Sequence, residues 1–116
     1  MIYGLASALS GIQAGGRILN TGANNIANAQ TESFKRTRAL PLETSTGGVT
    51  VTLEKDGRPG TYFSFQEDPS ILREGSNVDL GEEFIANFQA LRLVEANIAS
   101  FKIQNKVLGS LLDITE

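Results

Sequence analysis

The sequence predicts an α+β fold in which two long terminal helices pair as an antiparallel, coiled-coil-like hairpin with a small β-hairpin insert. Apolar residues recur at helical spacing at both ends of the 116-residue chain. A β-branched run lies in the middle, and an Asp-Gly turn signal follows it. On these observations residues 1–30 and 78–116 form a terminal-helix core domain, and residues 31–77 form the insert.

The first segment, residues 1–28, repeats apolar and small residues at alternating steps of three and four, which is the pattern of a coiled-coil seam. The seam residues are Ile2, Leu5, Leu9, Ile12, Gly16, Leu19, Ala23 and Ile26. A stripe of small residues spaced seven apart runs beside them, at Ala8, Gly15 and Gly22. Small residues allow close helix approach, but each glycine weakens a helix by about 1 kcal/mol relative to alanine. We therefore expect a poor helix in isolation and a good one against a partner.

The middle segment contains two strand-like runs. Residues 49–54 alternate apolar and polar-leaning residues, and residues 60–65 are rich in aromatics. The pair Asp56-Gly57 between them predicts that the runs form one β-hairpin, with loops near residues 41–48 and 67–75. Pro59 also permits a longer turn.

The third segment, residues 78–112, opens with a capping signal, because Glu82 follows Asp79 at capping-box-like spacing. Its predicted seam is Phe84, Leu91, Val94, Ile98, Phe101, Leu108 and Leu112. Asn87 and Asn105 interrupt this seam, where a buried Asn commonly fixes register. A second apolar stripe implies packing beyond a simple two-helix hairpin. It comprises Ala96, Ala99, Ile103, Val107 and Ile114.

The composition argues against several classes of function. The chain has no cysteine, which excludes disulfides and thiolate metal sites, and no histidine, the commonest general base and metal ligand. A net charge of −3 does not favour nucleic-acid binding. The N-terminus lacks a basic region, and no run approaches the ~20 apolar residues of a membrane span. We expect no cofactor, no cleaved signal peptide and no direct membrane insertion, and an enzyme is the least favoured alternative.

Two motifs at opposite ends of the chain resemble the signatures of flagellar rod, hook and hook-associated axial proteins. The first is SALSGIQA at residues 7–14 followed by NNIANAQTESFKR at residues 24–36. The second is GSNVDL at residues 75–80, with EEF, EAN and LGSLLDI further along. Ser33 stands where the family usually has glycine, and Val94 stands where a tyrosine commonly precedes Glu-Ala-Asn.

The resemblance implies a structural subunit of the bacterial flagellum with no catalytic site. Members of the family build axial tubes through paired terminal helices, and they leave the cell through the flagellar type III export apparatus without a cleaved signal. The implied partners are further copies of the chain and other flagellar rod and hook axial proteins. The short insert is typical of a proximal-rod type, in the periplasmic or cell-wall-spanning rod of the basal body.

We expect the assembly interface to use seam and motif residues of both helices. They are Leu5, Leu9, Ile12, Leu19, Asn25, Ile26, Asn28, Phe34, Leu91, Val94, Glu95, Asn97, Ile98, Phe101, Leu108 and Leu112. Two alternatives stay open: the core of a monomeric helical hairpin, and a non-polymerising junction or adaptor module. Asn25 and Asn28 fit either a helix-end turn or hydrogen bonds to adjacent subunits.

Two charged runs have plain structural explanations. We expect the run at residues 35–38 to be a solvated face, with phosphate or acidic-lipid binding and intersubunit ion pairs as alternatives. Glu82 and Glu83 are neighbours and cannot face one another on a helix, so they are not a catalytic pair. Their position predicts that they complement the dipole at a helix start.

Overall fold

The computed structural model describes residues 2–114 and confirms the predicted α+β architecture. Helix α1 spans Ile2–Ala27 and helix α2 spans Leu80–Asp113. Four strands lie between them: β1 Thr37–Glu43, β2 Val49–Lys55, β3 Tyr62–Phe65 and β4 Asp68–Glu74. Residues 1, 115 and 116 of the predicted terminal-helix domain lie outside the described residues.

The two helices pair antiparallel and give the molecule its length. Gly4 lies opposite Gln104, and Gly22 lies opposite Asn87. Helix α2 therefore continues past the start of α1 by about 10 Å, at 1.5 Å per residue. The chain measures 80 × 23 × 15 Å and has a radius of gyration of 20.6 Å. A compact domain of this length has a radius of gyration of about 13 Å, so the molecule is a thin rod.

Helix α2 begins at its predicted capping signal. The Asp79 carboxylate accepts a hydrogen bond from the Glu82 backbone N–H at 3.0 Å. The Asp79 backbone is extended, which is the usual N-cap conformation. Glu82 and Glu83 lie in the first turn, where negative charge is favourable.

The insert forms two hairpins, so the predicted pairing of residues 49–54 with residues 60–65 is wrong. Strand β2 pairs antiparallel with β1, and β3 pairs antiparallel with β4. The two strands that were not predicted contain Pro41 and Pro69 and occupy the expected loops. Proline cannot donate to a ladder, but each strand of a two-stranded sheet has an open edge where the missing N–H costs little.

Asp56-Gly57 connects the two hairpins instead of closing one. The Asp56 backbone N–H donates to the Arg36 carbonyl oxygen at 2.8 Å, just beyond the paired residues of β1 and β2. The Asp56 carboxylate then accepts the Arg58 backbone N–H at 3.1 Å, as in an Asx turn. A turn does form at the predicted position, but it leads the chain away from β2 and into the second hairpin.

Asn25 joins α1 to β1 through both atoms of its amide. Its Nδ2 donates to the Thr37 carbonyl oxygen at 2.8 Å, and its Oδ1 accepts the Thr37 N–H at 3.0 Å. The side chain is 1% exposed. At the helix end, Asn28 Nδ2 donates to the Asn24 carbonyl oxygen at 2.9 Å. These bonds account for both residues within one chain.

Two further side chains of α1 hold the first hairpin through the backbone of β2. Ser10 Oγ accepts the Val49 N–H at 3.0 Å, and Arg17 Nη1 donates to the Val51 carbonyl oxygen at 3.3 Å. The Val51 side chain is buried. The first hairpin thus lies along one flank of α1, and α1 loses that flank as a surface for other contacts.

Ser33 has a φ of 56° and is the sole non-glycine residue with positive φ among residues 2–114. A side chain in this region costs roughly 1–2 kcal/mol. We expect Ser33→Gly to raise the free energy of unfolding by about 0.5–1 kcal/mol, because glycine removes that cost while adding freedom to the unfolded chain. Urea unfolding measures the change. The same substitution at Gln30, which has ordinary φ, should lower stability; equal effects at both positions would contradict the explanation.

Candidate assembly interface

Small residues on α1 line the contact between the two helices. They recur at heptad spacing: Gly4, Ala8, Gly11, Gly15 and Gly22. A Cβ at Gly11 would lie 2.5 Å from the Asn97 side chain, and a Cβ at Gly15 would overlap Val94 and lie 3.3 Å from the Ala90 carbonyl oxygen. The helices are at close approach, as the stripe of small residues predicted, and hydrogen is the side chain that fits at these positions.

The large apolar seam of α1 lies at the edge of the contact with α2, contrary to the prediction that it forms the centre of that contact. Leu9 is 47% exposed. Four other seam residues are only half-buried: Leu5, Ile12, Leu19 and Ile26. The contacting row is displaced by one residue from the predicted row, because close packing on glycine brings the helix backbones together and turns the larger side chains to the edge of the contact.

On α2 half of the predicted seam is correct. One contacting row contains Asn87, Val94, Phe101 and Leu108, at seven-residue spacing. The other contacting row is Glu83, Ala90, Asn97 and Gln104, which hydropathy does not mark as buried. Asn105 is exposed, so the prediction that it interrupts a buried seam is wrong.

The expected interface residues therefore divide into three sets. Asn25, Val94 and Asn97 make contacts inside the chain. Eight others are half-buried: Leu5, Ile12, Leu19, Ile26, Asn28, Phe34, Phe101 and Leu108. Leu9, Leu91, Ile98, Leu112 and Glu95 retain exposed surface. A sequence signal for the missed contacts did exist, since Gly4 and Gly11 are themselves seven residues apart.

The apolar residues displaced from the contact gather on one side of the helix pair. Leu19 of α1 and Phe84, Phe88 and Leu91 of α2 line a shallow cavity of about 220 Å³. Seven-residue spacing continues the same side to Ile98 on α2 and, less closely, to Leu9 on α1. We call this surface the leucine face; it comprises Leu9, Leu19, Phe84, Leu91 and Ile98.

A second apolar surface lies on the opposite flank of α2 and shares Ile103 and Val107 with the predicted second stripe. Ile85 is 62% exposed and Ile103 is 65% exposed. Among the described elements β1 and β2 pack against α1, and no strand packs against α2. We call this surface the isoleucine stripe; it comprises Ile85, Leu93, Ile103, Val107 and Leu111.

Charge on the helix pair is confined to one line. Within α1 the single charged residue is Arg17, which bonds to β2. Within α2 the charged residues beyond the first turn follow heptad spacing on the side away from α1. We call this line the charged ridge; it comprises Arg92, Glu95, Lys102, Lys106 and Asp113. It borders both apolar surfaces, since Glu95 and Lys102 follow Phe88 at seven-residue spacing and Arg92 follows Ile85.

The chain exposes more surface than a folded monomer of its size. Its accessible surface is 8245 Å². A compact 12.4-kDa protein exposes about 6,100 Å², so the surplus is about 2,000 Å². The buried apolar core among the described residues is only Ala8, Ala14, Val51 and Ala90. The molecule therefore keeps on its outside the apolar residues that normally make a core.

The two family-like motifs meet at the base of the helix pair. Arg36 of the first motif pairs with Glu82, and its Nε lies 2.5 Å from Oε1 of the buried Glu83 in the second motif. The Arg36 backbone N–H donates to Asn77 Oδ1 at 2.6 Å. The Asn77 amide also donates to the Arg58 carbonyl oxygen at 2.8 Å. Residues 41 positions apart in sequence thus form one polar junction between the insert and α2.

The basic run at residues 35–38 is used inside the chain, so the expected solvated face is wrong. Lys35 Nζ lies 2.5 Å from Glu74, Arg36 pairs with α2, and Arg38 Nη2 lies 3.0 Å from Asp56. The phosphate and intersubunit alternatives lose their basis as well, because each cation already has a carboxylate partner in its own chain.

Two carboxylates of this junction have lowered pKa values. Hydrogen bonds from the side chain and backbone of Arg58 hold the pKa of Asp56 far below its usual range. The Lys35 ammonium, and then the Gly60 backbone N–H at 2.7 Å, lower the pKa of Glu74. In both cases the bonds favour the ionised form.

Lowered pKa values predict acid sensitivity of the insert. A carboxylate whose pKa is lower in the folded state stabilises the protein above its unfolded pKa, about 3.9 for Asp and 4.3 for Glu. We expect stability to be constant from pH 7 to about pH 5 and to fall below about pH 4 as protons bind the unfolded chain. Urea midpoints between pH 7 and pH 2 measure this. Asp56→Asn should reduce the loss of stability below about pH 4. An unchanged loss would show that Asp56 is not a source of the acid sensitivity.

The second hairpin is exposed along nearly its whole length. Phe63 and Phe65 meet edge to face with ring centroids 5.7 Å apart, and the Arg73 guanidinium lies 5.0 Å from the Phe65 ring centre. An isolated two-stranded hairpin is marginally stable. These contacts stabilise it together with the bonds to Glu74 and the Arg73–Glu32 ion pair at 3.1 Å.

No family model and no curated protein matches this sequence. Within residues 2–114 neither helix combines the length and the apolarity that crossing a lipid bilayer requires. The motifs at residues 24–36 and 75–84, the junction they form and the apolar surfaces of the helices are the features from which a function follows.

Proposed function

We propose that this chain is a structural subunit of the bacterial flagellar rod and polymerises through its N- and C-terminal helices. The observation that carries the proposal is the exposed apolar surface of the helix pair. The leucine face and the isoleucine stripe are exposed on a rod whose charges beyond the first turn of α2 follow one line, and solvent-facing patches of this extent mark protein contacts. Within the described residues, no other part of the chain covers these two surfaces.

The motifs support the same role. Residues 24–36 and 75–84 resemble the signatures of axial proteins at both ends of the chain, and Arg36 joins the two through Glu83. Asn25 and Asn77 bond to backbone atoms, so these motif residues shape the subunit. A subunit whose helices and insert are held in one fixed arrangement presents the same surfaces to each neighbour.

The short insert, residues 31–77, favours a proximal-rod position over the hook, whose members carry large middle domains. On this proposal the chain is exported through the flagellar type III apparatus and acts in the basal-body rod. Its partners are further copies of itself and other axial proteins. Its work is mechanical: apolar burial at roughly 25 cal/mol per Å², repeated at each contact, gives a stiff shaft.

Concentration-dependent assembly tests the proposal. We expect sedimentation velocity of the purified chain to show growth from monomer to long polymers as concentration rises. Leu91→Asp should abolish this growth, because it places a charge in the centre of the leucine face. The monomeric variant should keep the wild-type far-UV circular dichroism spectrum, since Leu91 is already 43% exposed.

A matched control separates the interface from a general charge effect. Thr46→Asp adds the same charge in the exposed loop between β1 and β2 and should leave polymerisation unchanged. A wild-type chain that stays monomeric but binds one axial protein saturably would favour the adaptor alternative and overturn the proposal.

A further inference from the structure

We propose that polymer growth is head to tail: the leucine face of one copy docks on the isoleucine stripe of the next, and the charged ridge of every copy stays in water. This inference rests on the proposed function and names the surfaces that would carry it. The occupant of each apolar surface is a second copy of this chain.

The placement of the two surfaces argues for this contact. They lie on opposite flanks of α2, so a two-fold dimer through one of them would leave the other exposed. A heterologous contact between the two covers both with a single kind of interface, and such contacts extend as filaments unless the rotation closes a ring. The 80 × 23 × 15 Å shape allows neighbours to pack side by side along the helices.

The exposed area agrees with two contacts per chain. A standard interface buries about 800 Å² on each partner. The surplus of about 2,000 Å² over a compact protein is spread over the whole chain, including the second hairpin, and it is large enough for two contacts of this size. A single two-fold contact of standard size would use less than half of this surplus.

The distribution of charge is consistent with the same arrangement. None of the residues that comprise the two surfaces is charged, so a contact centred on them can be desolvated while the bordering ions stay at its solvated edge. Arg92 and Glu95 pair at 3.0 Å and are both exposed. Since burying such a pair costs free energy, the charged ridge is the side of α2 that remains solvated.

Two complementary variants test the inference. Leu91→Asp places a charge in the leucine face and leaves the isoleucine stripe intact. Ile103→Asp places a charge in the isoleucine stripe and leaves the leucine face intact. We expect each variant alone to be monomeric by sedimentation velocity. An equimolar mixture should contain a one-to-one heterodimer and no larger species, because it holds one intact face and one intact stripe. Ile98→Asp with Val107→Asp repeats the test at independent positions.

Each outcome decides between arrangements. Ile103→Asp that dimerises alone, with a mixture that contains no heterodimer, would mean a two-fold contact through the leucine face and would overturn the inference while the proposed function stands. A wild-type chain that never assembles would overturn both. Lys102→Asp on the charged ridge should polymerise normally, and its failure to do so would contradict the solvated position of the ridge.

The chain contains no cysteine, which makes the solvated side directly measurable. Single cysteines at Lys102, Leu9 and Ile103 should react equally with a maleimide in dilute monomer. In the polymer Lys102→Cys should stay reactive, while Leu9→Cys and Ile103→Cys should each slow by at least tenfold. Protection of only one of these two positions would contradict a contact that uses both surfaces.

Discussion

Gly15→Ala is expected to lower the free energy of unfolding by about 2–3 kcal/mol, although alanine is the better helix former. The added methyl would overlap Val94, whose β-branched side chain has few alternative rotamers, and it would press on the Ala90 carbonyl oxygen. The two helices would have to move apart along their whole length. Urea unfolding followed by circular dichroism at 222 nm measures the loss.

Gly16 is the matched control, because it neighbours Gly15 on the same helix and a methyl group added there would meet no atom within 4 Å. Gly16→Ala should therefore raise stability by up to about 1 kcal/mol through helix propensity alone. Gly109→Ala near the end of α2 should behave in the same way. Equal effects at Gly15 and Gly16 would show that close helix approach does not determine stability.

The helix pair shows what hydropathy periodicity can and cannot predict. It located both helices, their antiparallel pairing and the apolar surfaces, but it assigned the larger residues to the wrong contact. Periodicity reports which apolar residues share one side of a helix, and it does not distinguish contacts inside a chain from contacts between chains. Where glycine lines one helix, the closest contact is made by the residues that hydropathy weights least, such as Gly11 and Asn97.

The prediction of strand pairing in the insert was wrong for a different reason. The strand-like runs were found, yet their partners contain Pro41 and Pro69, and local patterns treat proline as a strand breaker. The polar junction could not be predicted from the sequence either. Arg36, Asn77 and Glu83 are distant in sequence, and their pairing depends on the fold. The motifs marked these residues as a group, but only the structure gives them a shared role.

Arg36→Met is expected to cost about 3–5 kcal/mol, the largest stability effect of a single substitution at the junction. Glu83 has a side chain that is 4% exposed, and the Arg36 guanidinium is its ion-pair partner. Removing the cation leaves a buried carboxylate without compensation, which costs more than the pair itself contributes. Urea unfolding at pH 7 measures the difference.

The double variant Arg36→Met/Glu83→Leu distinguishes this cause from lost packing. It removes both charges, so we expect it to recover at least half of the loss, because no buried ion remains unpaired. Arg92→Met, which breaks an exposed pair with Glu95 on the same helix, should change stability by less than about 1 kcal/mol. If the double variant is no more stable than Arg36→Met, the burial of Glu83 is not the reason for the loss, and the bond from the Arg36 backbone to Asn77 becomes the stronger explanation for the rigidity of the junction.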